Sequence, residues 1–242
     1  MKTPQALINT DSFTREEYIS VIKENNRELS EGALAYRLRE DAANGNIIRI
    51  GRNQYVFPGN KQSYGHMYSD EAQKIAAEIE NEYSDAEFQI FELTQLNAFV
   101  NHLYAHNTIF VFVENDLVDF VFDFLHRIYP GRVMLKPSSD HYYRYLVENQ
   151  IVILRLPSES PRNDSAPWQV RLEKILVDIT VDKLLSGIVA PGELETVFTE
   201  SANQYYLDIN AMFRYARRKG SLEKFRKIYM EYTHVNTERQ KC

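Results

Sequence analysis

Along the first 60 residues, apolar positions fall first at helical and then at strand-like spacing. Thr14-Arg15-Glu16-Glu17 has the form of a capping box, in which the Thr14 hydroxyl accepts from the third helical amide and Glu17 reaches back to the cap. The helix it opens buries Tyr18, Ile19 and Ile22 and ends near Asn25 and Asn26. Ser30 caps a second helix with Leu34 and Leu38 four apart and Tyr36, Arg37 and Arg39 on other faces, and Asn44-Gly45 stops it. Ile47-Ile48-Arg49-Ile50 and Gln54-Tyr55-Val56-Phe57 are β-rich runs separated by Gly51, Arg52 and Asn53. Glycine and asparagine tolerate positive φ, so the two runs predict a hairpin. Helix, helix and basic-tipped hairpin in this order are the layout of a winged helix-turn-helix.

The stretch 58–65 is polar and turn-rich and marks a boundary. Beyond it Ser69 caps a helix carrying Ala72, Ile75, Ala76 and Ile79, and 88–93 reads as a strand. Leu96, Phe99, Val100 and Leu103 recur at helical spacing and predict a helix. Residues 109–113 are apolar at every position, as in a strand covered on both faces. Asn115 is expected to cap a largely buried helix over 117–128, and strands follow at 133–135 and 151–154. The Ser/Pro-rich stretch 157–167 reads as a long mobile loop. After it the pattern is helical: a stripe of Leu172, Ile175, Leu176 and Ile179, and a helix opened by Pro191. A third helix carries Ile209, Met212, Phe213 and Ala216 and ends at Gly220, and a last one runs over 221–232 with a frayed tail. The expected fold is therefore mixed α+β. A winged helix-turn-helix domain over 1–60 and a linker over 61–68 precede a larger α/β domain over 69–242 that ends in a helical segment.

Composition bounds the function. Hydrophobic residues make up 44% of the chain and charged ones 26%, so a core forms without staples. The single cysteine, Cys242, offers neither a disulfide framework nor a CxxC metal site. The first residues lack a basic and apolar leader, and the most apolar stretch, 118–125, is broken by Asp119 and Asp123. A cytoplasmic protein without a membrane partner is expected. Net charge is −6, but unevenly spread. The first 60 residues balance eight bases against eight acids, 70–123 carry twelve acids against Lys74, and 214–227 carry seven bases against Glu223.

Enzymatic signatures are sparse. There is no Walker loop, no GxGxxG after a strand, no GxSxG and no HExxH, so no catalytic residue, cofactor or metal ligand is nominated. His102 and His106 fall four apart on the expected helix but lack further ligands. Asp178 and Asp182 lie one turn apart, a spacing that could hold a divalent ion for nuclease chemistry. The favoured account pairs Lys174 with Asp178 at a polar helix edge. Duplex DNA needs cations and amides along one face of its binder. Ser30, Tyr36 and Arg37 on the second helix, Arg49, Arg52 and Asn53 on the hairpin, and Arg214, Arg217 and Arg218 near the C-terminus are the nominated DNA contacts. Of the basic run Arg214, Arg217, Arg218 and Lys219, three sit in the last helical turn before Gly220, where cations favour the dipole.

Ile47-Ile48-Arg49-Ile50-Gly51-Arg52-Asn53-Gln54-Tyr55 resembles the wing of the AbiEi-like antitoxins of type IV toxin–antitoxin (abortive infection) systems. The runs 172–178 and 213–218 resemble segments of that family's C-terminal domain. The resemblance implies a bacterial winged helix that binds operator DNA and represses its own operon, and a C-terminal antitoxin domain. It also implies a nucleotidyltransferase-like toxin as functional partner, countered with or without a stable complex. Where the family has glycine in the wing turn, this chain has Asn53. Two other classes of function stay open: a solitary winged-helix regulator whose α/β domain senses a ligand or protein, and a metal-dependent nucleic-acid enzyme using Asp178 and Asp182.

Overall fold

A computed structural model describes residues 7, 12–25, 29–51, 53–58 and 61–239. The fold is mixed α+β, with small sheets, many helices and a helical C-terminal segment. The chain divides into two compact units, Met1–Ser63 with Asn203–Asp208, and Tyr64–Ala202 with Ile209–Cys242. Sequence spacing placed the division at 61–68 and gave no sign that 203–208 belongs with the N-terminal residues. There Gln62 and Tyr205 form a parallel bridge, and the Tyr206 hydroxyl donates to the Phe57 carbonyl at 3.2 Å.

In the N-terminal unit, helix α1 (Arg15–Asn25) begins at the expected capping box. The Glu17 amide donates to the Thr14 hydroxyl at 3.2 Å, and the Thr14 amide to the Glu17 carboxylate at 2.7 Å. Helix α2 (Glu31–Ala43) starts at Ser30, whose hydroxyl accepts from the Ala33 amide. Strands β1 (Ile48–Gly51) and β2 (Gln54–Val56) pair antiparallel around Asn53, which holds φ +60. Phe13 extends this ladder by exchanging two backbone bonds of 2.8 Å with Tyr55. Its ring lies 4.9 Å from Phe57 and 5.9 Å from Tyr18, so one aromatic joins the hairpin to a core of Tyr18, Ile22, Leu34, Leu38 and Ile47.

The second unit is built on a four-stranded sheet in the order β3-β4-β6-β5. These strands are β3 (Phe88–Glu92), β4 (Thr108–Val113), β5 (Val133–Leu135) and β6 (Gln150–Arg155). β3 runs antiparallel to β4, whereas β4, β6 and β5 are mutually parallel. β4 is central and buried at all positions, and its alternate residues face opposite layers. Ile109, Val111 and Val113 share a core with α3 (Asp70–Glu82) and α4 (Val118–Ile128). Thr108 and Phe110 contact Tyr142 of α5 (Ser139–Tyr145), and Phe112 lies under α6 (Leu172–Val181). Helices α7 (Pro191–Gln204), α8 (Ile209–Arg218) and α9 (Leu222–Arg239) complete the segment, with Phe225 buried against Phe198 and Phe213.

Several expectations are corrected. Residues 96–103 do not form an α-helix. A 3-10 helix over Leu93–Ala98 gives way to irregular chain, and Leu103 is 68% exposed. The Asn97 side chain explains this, because it accepts from the Tyr104 amide at 2.7 Å and donates to its carbonyl at 3.1 Å. Both backbone groups are thereby satisfied without a helix. Asn115 opens a 3-10 turn instead of capping α4 and spends its side chain on Asp116, and Phe120 of α4 is 62% exposed. The stretch 157–167 is anchored: buried Gln89 donates to the Pro161 carbonyl and accepts from Ser160, while Arg162 pairs with Glu87. α5 has no counterpart in the sequence reading, and α9 continues past residue 232 to Arg239. No helix among the described residues is long and apolar enough to cross a membrane.

Two helices end where glycine was expected to stop them. Gly45 and Gly220 hold φ +73 and +67, and the next amides, of Asn46 and Ser221, reach back five residues to the Asp41 and Ala216 carbonyls. A Cβ at Gly220 meets no neighbour within 4 Å, so the cost of substitution is conformational. Gly220→Ala is expected to lower stability by about 1–2 kcal/mol through the left-handed backbone alone. Urea unfolding checks this, and an unchanged midpoint would show that the turn relaxes.

Candidate nucleic-acid interface

The nominated residues on α2 owe their positions to its amphipathic packing. Leu34 and Leu38 anchor the inner side, leaving Tyr36 65% exposed and Arg39 exposed on the outside. Arg37 is less available, because its Nε lies 3.9 Å from Asp41 and its side chain is only 17% exposed. Asp41 is the local hub, accepting from the Tyr18 hydroxyl and from Asn46 Nδ2 at 3.0 Å. Burial and then Asp41 push the Tyr18 phenol up, so it stays a donor. The Ser30 hydroxyl is exposed but occupied by the Ala33 amide.

On the hairpin, alternation places Ile50 inward and Arg49 outward, opposite Tyr55. Arg52 lies outside the described residues. Asn53 is exposed, yet both ends of its amide are engaged. Its Oδ1 accepts from the Arg15 amide at 3.1 Å, and its Nδ2 donates to Glu16 at 2.7 Å. The N-terminal unit thus holds Ser30, Tyr36, Arg37, Arg49 and Asn53 together, whereas Arg214, Arg217 and Arg218 sit on α8 of the other unit. Arg214 and Arg217 are exposed, and Arg218 donates to the Ser158 hydroxyl. The parts played by Glu16 and Asp41 were missed by sequence reasoning; the one available signal was an acid in each helix placed where a turn returns.

The second candidate constellation turns inward. Lys174 and Asp178 do pair, but in the core and not at a helix edge: they are 0% and 1% exposed. Lys219 donates to Asp178 at 2.6 Å and to Asp182 at 3.0 Å, the Tyr215 hydroxyl donates to Asp178 at 3.0 Å, and the Lys174 ammonium lies over the Phe112 ring. Burial pushes the Lys174 ammonium down, to about 8, against the pull of Asp178. Burial also raises Asp178, but the two ammonium groups outweigh it and hold its carboxyl below the usual range. A metal here would have to displace Lys174 and Lys219 from Asp178 and Asp182, so the donor set does not fit a divalent ion. His102 and His106 lie on irregular chain and take separate partners, Glu193 at 2.9 Å and Glu148. No group of three or more histidine, cysteine or acidic residues among those described is arranged to hold a metal.

The fold and these sites define a two-unit α+β protein with an exposed helix-and-hairpin surface on one unit and a charge-stitched core in the other. The chain belongs to the family of unknown function DUF6577, which it matches over residues 33–235. No curated protein matches it. A crystal structure of the RV2827C protein from Mycobacterium tuberculosis is similar at 12% identity and a TM-score of 0.25, the match covering 93% of this chain and 78% of that one.

Proposed function

We propose that this protein is a cytoplasmic DNA-binding transcriptional regulator, and that it acts as the antitoxin of a type IV toxin–antitoxin system. In this reading the N-terminal unit is a winged helix-turn-helix that docks α2 in the major groove of operator DNA and lays the hairpin on the neighbouring backbone. The observation that carries the proposal is the order of two helices and a hairpin around one aromatic core, with Tyr36 and Arg39 outward on α2 and Arg49 outward on β1. Eight bases against eight acids in the first 60 residues make affinity depend on where the cations sit, not on their number. The antitoxin role rests on the resemblance of the wing and of runs 172–178 and 213–218 to AbiEi-like antitoxins. No catalytic role is assigned.

Two measurements test the proposal. The purified chain should bind a duplex from its own upstream region in preference to an unrelated duplex at physiological salt. Co-expression should restore growth when a nucleotidyltransferase-like product of the adjacent gene is induced. Rescue without duplex binding would leave an antitoxin that regulates by another route. Duplex binding without rescue would favour a solitary regulator with a sensing α/β domain, a reading supported by a cavity of about 220 Å³ lined by Phe88, Gln89, Arg162 and Trp168.

A further inference from the structure

We infer that Glu16 and Asn53 form a latch that fixes the hairpin tip to the first turn of α1, so that the hairpin meets duplex DNA as a pre-set arm. This rests on the DNA-binding reading. A ribbon with strands of four and three residues has little stability of its own. Here it is fastened twice to one short segment. Phe13 exchanges two backbone bonds with Tyr55 at the root, and Asn53 grips Arg15 and Glu16 at the tip. The Arg15 amide is among the first amides of α1, which have no partner within the helix, so Asn53 caps α1 from 38 residues away. Its φ of +60 aims the side chain back at the helix. A glycine in this turn would keep the backbone conformation and lose both bonds. The hydrogen bond from Asn53 is also the largest influence on Glu16, lowering its carboxyl below the usual range. Asn53 is thereby a positioning residue and not a reader of bases, because both ends of its amide are spent inside the protein.

The latch has a second consequence. It holds a carboxylate beside the tip, where phosphates would approach, so positioning and charge act in opposite directions on affinity. Glu16→Gln keeps an acceptor for Asn53 and removes the charge. Asn53→Gly frees the tip and leaves the charge.

The experiment measures duplex affinity and its dependence on salt for the full chain, with amide exchange of Arg15 read on the free protein. Asn53→Gly should lose about fivefold to tenfold in affinity, and its log–log salt slope should shrink by about one as a phosphate contact goes astray. Its melting temperature should stay near that of the wild type, and the Arg15 amide should lose protection. Glu16→Gln should bind as tightly as the wild type or more tightly, and Glu16→Gln with Asn53→Gly should stay weak. The latch is overturned if Asn53→Gly binds like the wild type, or if removing the Glu16 charge restores the double variant, since charge alone would then explain the loss. A wild-type chain that binds no duplex overturns the DNA-binding reading itself and is recognised before any variant is compared.

Discussion

Replacing Asp178 with asparagine is expected to lower the stability of the protein by about 3–5 kcal/mol, the usual cost of removing one partner from a buried ion pair. The carboxylate stands between two ammonium groups, of which Lys174 is fully buried and Lys219 is 12% exposed. Without it Lys174 keeps the faces of Phe112 and Tyr215 and the weaker pull of Asp182, and a cation–π contact worth about 2 kcal/mol does not offset the desolvation of an ammonium. For a unit of this size the loss should appear as a fall of roughly 6–20 °C in melting temperature. The complementary variant, Lys174→Met with Asp178→Leu, removes both buried charges, leaves Lys219 with Asp182, and should recover most of the loss. Melting curves of the wild type and the two variants decide the matter: an unchanged melting temperature for Asp178→Asn would mean that the lysines reach solvent. The pH dependence has a definite sign. Because the folded Asp178 carboxyl is held below its ordinary value of 3.8, its stabilisation is complete above that value and is lost as the pH falls through the folded one. Lys174 is depressed to about 8 against an ordinary 10.5, so the folded chain binds fewer protons than the unfolded one in that window, and this residue's share of stability rises with pH there.

What the sequence conveyed and what it withheld separate by range. Signals read within one turn of chain were dependable with one exception, Asn115, which spends its side chain on Asp116 instead of capping α4. Thr14 with Glu17, Ser30, Ser69, Gly45 and Gly220 each did what their local chemistry requires, because a cap or a left-handed stop needs only its own neighbours. The uniformly apolar run 109–113 lies in β4, covered on both faces. Failures arose where a distant side chain took over. Asn97 satisfied the backbone of Tyr104 and removed the reason for a helix that the spacing of Leu96, Phe99, Val100 and Leu103 predicted. Gln89 and Glu87 tied down a Ser/Pro-rich stretch whose composition reads as mobile. The candidate site follows the same division. Lys174 with Asp178 was legible at i,i+4, but the arrival of Lys219 and Tyr215 from α8, which turns an edge pair into a buried cluster, was not. Asn53 was legible as a residue at positive φ, whereas its grip on Arg15 and Glu16 needed the fold.

On the proposed DNA-binding reading, reversing the charge at Arg49 and Arg52 together is expected to abolish binding to the upstream duplex at physiological salt, a loss of at least about a hundredfold. The first 60 residues are neutral overall and offer no broad positive field of their own, so on the proposed reading this unit's affinity depends on a few correctly placed cations. Each phosphate contact contributes about 0.9 to the slope of log affinity against log salt. Losing two should flatten that slope by about two units, and two carboxylates facing phosphates add repulsion to the lost attraction. Arg49 is exposed on β1, and melting curves of the double reversal, taken beside the binding measurement, separate binding from folding. The same reversal at Arg214 and Arg217, on the other unit, isolates any contribution of the basic C-terminal run: a comparable flattening would assign phosphate contacts to α8, and an unchanged slope would confine the interface to the N-terminal unit. Unchanged affinity in the Arg49 and Arg52 double reversal, measured on the upstream duplex at physiological salt with the fold intact, would refute the hairpin as a DNA-contacting element and with it the winged-helix reading of this unit.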